Sequence, residues 1–426
     1  MSSSGGPLPH HLLPLTASFD GAGRLSVGDV DLCELAAEHG TPLFVYDELH
    51  LRERCREAVA AFGEGASYAS KAFLCRAMAA LVSEEGMGID VATGGELHVA
   101  LAGGTDPDRI VLHGNNKSSA ELATAMEVGV GRIVVDSHDE LDRIEALVAD
   151  GARVPQVLLR VTPGVEAHTH VYVQTGQDDS KFGFTLSTGA AAAAVERAEA
   201  SPAVDLVGVH VHIGSNVFAL SSFALAVEAL AGFVVPLGLP ELSLGGGLGV
   251  AYVAGEETPS IAEWAGVLHR ACSAAGIAAR LAVEPGRSIV AGAAVTLYTV
   301  GTVKRVEGVR TFVAVDGGMS DNPRPVLYGS GYETFLPRAA TAERPFVANV
   351  VGKHCESGDL IVRDARLPAD VAVGDVLATP VTGAYGHSMA SNYNKVTRPA
   401  VVFVAAGEAR LVVRRETLDD LLRLDL

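Results

Sequence analysis

From about residue 67 the chain alternates short β-rich runs with longer Ala-, Leu- and Glu-rich stretches of helical character. The runs are SYAS (67–70), GIDV (88–91), IVLH (110–113), RIVV (132–135), VLLRV (157–161), LVGVHVHI (206–213), ELSL (241–244) and RLAVE (280–284). Each gives way to polar or glycine residues before the next helical stretch. Strands separated by helices pair in parallel, because a parallel neighbour needs a crossover. Eight such units predict a closed (β/α)8 barrel of the TIM type. An open doubly wound sheet is the alternative that the same local pattern allows.

After Val290 the texture changes to strands and turns with few helices: TLYTVGTVKRV, RTFVAVDGG, PFVANVVG, DLIVRDA, DVLATP and TRPAVVFVAAGEARLVVRRE. This predicts a C-terminal β-rich domain. The run PLFVYD (42–47) precedes the barrel pattern and is expected to join that domain. The division is therefore residues 1–47 with the β domain, 48–290 as the barrel, and 291–426 as the β-rich domain. The Ala-rich stretch 189–200 reads as an ordinary barrel helix.

Composition narrows the partners. Lys and Arg number 32 against 51 Asp and Glu, a net charge of −19. An acidic surface of this kind argues against nucleic acid or an anionic membrane as a partner. A locally basic pocket for a small anion remains compatible with it. The five cysteines are widely spaced and never form CxxC or CxH pairs, so neither a disulfide framework nor a zinc site is expected. The N-terminus has no basic, apolar leader pattern, and no stretch approaches the roughly 18 apolar residues of a membrane span. A reducing, cytoplasmic setting is the expectation.

Barrel enzymes carry their chemistry at the C-terminal ends of the strands, and four of those ends stand out. Lys71 follows the first run. Partly shielded from water, it would be a candidate amine nucleophile; alone, it reads first as a surface lysine. His210 and His212 share one face of the sixth run. They are either half of a metal site, which needs further ligands from other strands, or a flat-cofactor contact (His212) beside a packed core imidazole (His210). GGGLG (245–249) ends the seventh run where this barrel usually binds phosphate, and consecutive glycines let backbone N–H groups close around an anion. Glu284-Pro-Gly-Arg287 ends the eighth run, with an acid suited to a ring nitrogen and a guanidinium suited to a phosphate.

With these residues in view, the chain resembles the fold-type III, alanine-racemase-like pyridoxal-phosphate decarboxylases, and within them the branch acting on meso-diaminopimelate. The resemblance runs from about residue 25 to the end. It is carried by YASKAF, DVATGGEL, HGNNKS, GVEAHTH, HVHIGSN, GGGLG, EPGRS, DGGMSDNPRPVLYG, KHCESGD and GAYGHSMASNYN.

The resemblance implies a pyridoxal 5'-phosphate cofactor held by Lys71, with His212 against its ring and Glu284 at its ring nitrogen. Ser215, Gly245, Gly246, Gly247, Gly249, Gly286 and Arg287 would surround the phosphate, and Tyr385 would reach it from the second domain. Arg287, Arg324 and Tyr328 match the grip on the substrate's distal carboxylate, with Tyr385 also at the substrate. Glu356 matches the acid for its distal ammonium, and Cys355 the proton donor, supplied in a homodimer by the partner's second domain. No metal is implied. For Cys355 a small buried hydrophobe is the plainer reading outside the CESGD context.

The implied reaction is decarboxylation of meso-diaminopimelate to L-lysine and CO2, the last step of lysine biosynthesis. The alternative is a decarboxylase of ornithine, arginine or lysine on the same fold. Arg324, Tyr328 and Glu356 speak against it, since those substrates lack a distal carboxylate. Two departures stand out: Asn216 where the family commonly has Gln, and His387 after GAYG.

Overall fold

A computed structural model describes residues 6–164 and 179–426. Residues 165–170 of the GVEAHTH motif lie outside the described residues. Contacts divide the chain into two units: residues 54–249 with 258–288, and residues 1–53 with 250–257 and 289–426.

The first unit is the barrel. Its strands are β1 (Ser67–Ala69), β2 (Gly88–Val91), β3 (Ile110–Leu112), β4 (Arg132–Val135), β5 (Gln156–Thr162), β6 (Asp205–His210), β7 (Glu241–Ser243) and β8 (Arg280–Ala282). They pair in parallel in that order. The ring closes where Ala66 bridges Val283, with Ser67 N–H donating to Val283 O at 2.9 Å and Val283 N–H to Gly65 O at 2.8 Å. The eight-unit reading holds, and the open sheet is excluded. Each strand falls on its expected run: β2 and β4 match it, β1, β3, β7 and β8 are trimmed by one or two residues, β5 gains one at each end, and β6 starts one residue earlier and ends three earlier. Strands such as β2, buried at all four positions, read as continuous apolar runs because helices cover one face and the barrel core the other.

The helices start where the sequence supplies caps. Ser118 and Glu121, and again Ser260 and Glu263, form reciprocal capping boxes, which satisfy the first free backbone N–H groups. One helix departs from the sequence expectation. Leu220–Leu237 is 18 residues long and apolar enough to cross a membrane by length and composition alone. It is the crossover between β6 and β7. Phe223, Ala226, Val227, Leu230 and Val234 are buried, and it packs on the helix Ile261–Ala274.

The second unit is β-rich. Its main sheet runs Leu360–Leu367, Phe346–Val351, Arg310–Val315, Ala294–Val306, Leu43–Asp47, Ala400–Ala405 and Glu408–Val413, with Val376–Pro380 also on Ala294–Val306. Leu43–Asp47, buried throughout, pairs antiparallel with Ala294–Val306 and parallel with Ala400–Ala405. The N-terminal segment is therefore a central strand of the β-rich sheet.

A buried ion pair in the barrel fixes the HGNNKS loop. Lys117 Nζ lies 2.8 Å from Glu140, both side chains being 1% exposed, and donates to Gly114 O and Val134 O at 2.7 Å each. Removing one partner strands the other charge away from water. Glu140→Ala is expected to cost about 3–5 kcal/mol in denaturant unfolding, while Lys117→Met with Glu140→Leu should recover most of it. Equal losses in the single and double variants would show that the pair's charge is not what matters.

Candidate active site

At the C-terminal rim of the barrel, strand register sets the site. His210 stands opposite Arg160 on one neighbour and Ser243 on the other. Beside them lies Glu284, 8% exposed. Ser243 Oγ donates to Glu284 Oε1 at 2.8 Å, and His210 Nε2 lies 3.1 Å from Oε2. His113 Nε2 lies 3.4 Å from Oε1 and 3.5 Å from Asp90 Oδ1.

Burial opposes a charge on Glu284, but His210 and His113 outweigh it and hold the carboxyl well below its usual range. Burial takes His210 down to about 4. It is therefore neutral near pH 7, and with Glu284 ionised its Nε2 carries the donated proton. Burial also lowers His113, but Asp90 and Glu284 on either side raise it above its ordinary value. Asp90 is pushed up to about 6 by burial.

The two histidines of HVH do different things. His210 turns to Glu284, while His212 Nδ1 accepts from Gly246 N–H at 3.3 Å. Burial, then the charge of Lys71, takes His212 well below its ordinary value. It is neutral, with its proton on Nε2. His113, His210 and Glu284 bring ligand atoms within 4.8 Å of one another, which no sequence spacing reveals.

Lys71 sits on a single 3₁₀ turn, Ser70–Ala72, just beyond β1. Its neighbours Ser70 and Ala72 are buried while Lys71 itself is exposed. The shielding expected from the sequence is thus absent in the chain by itself, because the turn lifts residue 71 off the strand end. The glycine loop presses on the barrel wall. A Cβ on Gly246 would lie 2.2 Å from Glu284 O, and one on Gly247, at φ +108°, 2.3 Å from Gly214 O. Arg287 Nη2 donates to Ser215 Oγ at 2.8 Å, placing a guanidinium and a hydroxyl together. A Cβ on Gly249 would lie 3.1 Å from Val217 O, and one on Gly286 3.0 Å from Ala69 O.

In the β-rich unit, Arg324 is 4% exposed and opens the short helix Arg324–Tyr328. It donates to Tyr332 Oη at 2.7 Å and Ser330 Oγ at 3.2 Å, with its guanidinium 4.2 Å from the Tyr252 ring centre. Burial would lower Arg324, but Tyr252, Tyr332 and Tyr385 raise it. Tyr385 holds a left-handed backbone, φ +58°. Cys355 and Glu356 occupy an exposed loop, and Tyr393 Oη donates to Glu356 Oε1. Asp90, His113 and Arg160 in the barrel, and Tyr252, Tyr332, Tyr393 and Asn394 in the β-rich unit, went unassigned from the sequence. Strand-end position was the signal available for the first three.

Known proteins match this geometry over the whole chain. The family model described as "Pyridoxal-dependent decarboxylase, pyridoxal binding domain" matches residues 48–291. The diaminopimelate decarboxylase of Mycobacterium tuberculosis (strain ATCC 25618 / H37Rv) is 48% identical, over 98% of each chain. That of Bacillus subtilis (strain 168) is 46% identical, over 95% of each. A crystal structure of diaminopimelate decarboxylase from M. jannaschii in complex with L-lysine superposes with a TM-score of 0.90 at 32% identity, covering 97% of this chain and 98% of the other. The chain belongs to the pyridoxal-dependent decarboxylases.

The cofactor of this decarboxylase is accordingly pyridoxal phosphate, and the barrel residues fit it. Glu284, kept ionised inside the barrel, suits a protonated ring nitrogen. A glycine loop with no room for side chains, next to Ser215 and Arg287, suits a phosphate. Gly247→Ala would force an Ala into a left-handed backbone against Gly214 O, a strain of about 1–3 kcal/mol before the clash is counted. The variant should lose bound cofactor on gel filtration, read from the visible absorbance. Full retention would mean that the loop does not hold the phosphate.

Proposed function

We propose that this enzyme decarboxylates meso-2,6-diaminopimelate to L-lysine and CO2, the last step of lysine biosynthesis, as a cytoplasmic homodimer without nucleic-acid or membrane partners. Arg324 supports the substrate most directly. It is a buried guanidinium already braced by Tyr252, Tyr332 and Ser330, the kind of fork that binds a carboxylate. Ornithine, arginine and lysine have no carboxylate at their far end to use it. The names of the relatives above point the same way.

Bound pyridoxal phosphate supplies an electron-withdrawing ring that takes up the electron pair released when the bond to the α-carboxylate breaks. Lys71 would hold it through its aldehyde, and Ser215, Gly245, Gly246, Gly247, Gly249, Gly286, Arg287 and Tyr385 would hold its phosphate. Glu284 would keep the ring nitrogen protonated, and neutral His212 would lie against the ring without adding a competing charge. Arg287, Arg324, Tyr328 and Tyr385 position the distal carboxylate and Glu356 the distal ammonium. These remote contacts orient the bond that breaks. The Cys355 thiol then delivers one proton to the α-carbon, which balances the loss of CO2.

Lys71→Ala should remove both the visible absorbance and lysine formation while leaving the melting temperature near wild type. Arg324→Ala and Glu356→Gln should each lower kcat/KM on diaminopimelate by tenfold or more, since a hydrogen bond to a charged group is worth about 1.5–3 kcal/mol. Comparable turnover of ornithine or arginine by the wild-type enzyme would replace the substrate assignment.

Subunit sharing has its own test. Lys71→Ala and Cys355→Ala chains, each inactive alone, are unfolded together and refolded as a mixture. If each site takes Lys71 from one copy and Cys355 from its partner, a mixed dimer holds one intact site. Random pairing then restores roughly a quarter of wild-type sites, by the symmetry of a closed dimer. No recovery, with exchange confirmed by a tag pull-down, would place both residues of a site in one chain.

A further inference from the structure

Around Cys355 and Glu356 the loop is held from two sides. On one side, Asp359 ties it down: His354 N–H donates to Asp359 Oδ2 at 2.9 Å and Met319 N–H to Oδ1 at 2.7 Å. On the other side stand Tyr393 and Asn394, to which the reading so far assigns nothing. Asn394 Oδ1 lies 3.1 Å from His354 Nδ1 and accepts from Cys355 N–H at 3.4 Å. One amide oxygen thus takes two neighbouring donors. That fixes the His354 tautomer with its proton on Nδ1, so Nε2 accepts from Ser320 Oγ at 2.8 Å. The Tyr393 ring lies against the His354 ring, centres 5.4 Å apart, and its hydroxyl donates to Glu356 Oε1.

The backbone beneath these contacts is strained. Asn394 and Lys395 are consecutive non-glycine residues in the left-handed region, at φ +51° and +55°. Such outliers persist where surrounding contacts over-determine them. Here the turn directs the Tyr393 and Asn394 side chains at one dipeptide. A carboxylate has two oxygens with about four acceptor sites, so the tyrosine restrains Glu356 and still leaves Oε2 for a ligand.

We propose that Tyr393 and Asn394 form a positioning clamp that aims Cys355 and Glu356 separately: Asn394 sets the cysteine through its backbone amide and His354, and Tyr393 sets the glutamate through its carboxylate. The clamp rests on the roles given above to Cys355 as proton donor and Glu356 as the acid for the distal ammonium. Because the two halves aim different groups, their loss has different kinetic signatures. A loosened cysteine slows proton delivery and lowers kcat. A loosened glutamate weakens the hold on the ligand and raises KM.

The test uses the holoenzyme. Asn394→Gly suits the left-handed backbone and removes only the amide acceptor, whereas Asn394→Asp keeps an acceptor oxygen. Asn394→Gly should lower kcat on diaminopimelate roughly tenfold, the scale of a small misplacement, with KM and melting temperature little changed. Asn394→Asp should restore most of the loss. Tyr393→Phe should raise KM, and weaken calorimetric binding of L-lysine, roughly tenfold by releasing a charge-assisted contact. It should add nothing in a Glu356→Gln background. If Asn394→Asp is as impaired as Asn394→Gly, or if Tyr393→Phe and Asn394→Gly shift kcat and KM alike, the clamp is overturned and the segment is merely structural. If Glu356→Gln and Cys355→Ala themselves leave kcat and KM intact, the roles of those two residues fall first, and the clamp falls with them.

Discussion

A carboxylate kept ionised inside a barrel is the constraint on which the catalytic end depends. Desolvation of an isolated charge is prohibitive, so Glu284 requires donors at fixed positions. They come from three other strand ends: His113 just beyond β3, His210 at the end of β6, and Ser243 at the end of β7. Only parallel strands in one register bring these side chains to a common level. Closure of the ring at Ala66 and Val283 therefore matters to the chemistry as well as to stability, because it sets β8, and with it Glu284, beside β1 and Lys71.

Two imidazoles serve that carboxylate with their titration shifted in opposite directions, and the difference follows from their neighbours. His210 has Glu284 as its acidic partner, and burial wins. His113 has two acidic neighbours, Asp90 and Glu284, and they win. His212, one residue beyond His210's neighbour, is lowered by burial and then by Lys71, and accepts a backbone N–H at Nδ1, so it too is neutral. In the proposed site, a neutral imidazole would avoid like-charge repulsion with a cationic ring, whereas a charged one would work against the protonation that Glu284 would maintain.

Much of this was legible in the sequence, for an identifiable reason. Strands buried on both faces and followed by capped helices leave a plain period, so all eight runs fell on real strands. Motifs that need backbone access, such as GGGLG, announce themselves because glycine has no substitute there. What stayed hidden depends on packing across the barrel. Asp90 and His113 lie in recognisable motifs, yet nothing in DVATGGEL or HGNNKS shows that both face Glu284. The same holds for the metal-like grouping of His113, His210 and Glu284, assembled from residues up to 171 positions apart, the interval from 113 to 284. The exposure of Lys71 was missed because a strand pattern cannot show that the chain breaks into a 3₁₀ turn after Ala69.

The β-rich unit shows the opposite relation between pattern and function. Its strands read as apolar runs, but the residues proposed for its chemistry lie outside them: Arg324, Cys355 with Glu356, and Tyr385, with Tyr393 beside them. Loops hold such groups only if their own polar atoms are satisfied. The Asp321 carboxyl accepts from Tyr298 Oη at 2.8 Å and Gly318 N–H at 2.7 Å, tying down the segment that delivers Arg324. Asp359 does the same for the segment that delivers Cys355. Burial raises Asp321 to about 7, so ionising it costs folded stability, and that cost grows as pH rises from its unfolded value towards 7. Asp321 thus costs stability to tie its segment down, whereas Glu284 in the barrel, held below its usual range, favours the fold once ionised. The barrel holds its acid with strand register, and the β-rich unit ties down two of its segments with the buried acids Asp321 and Asp359.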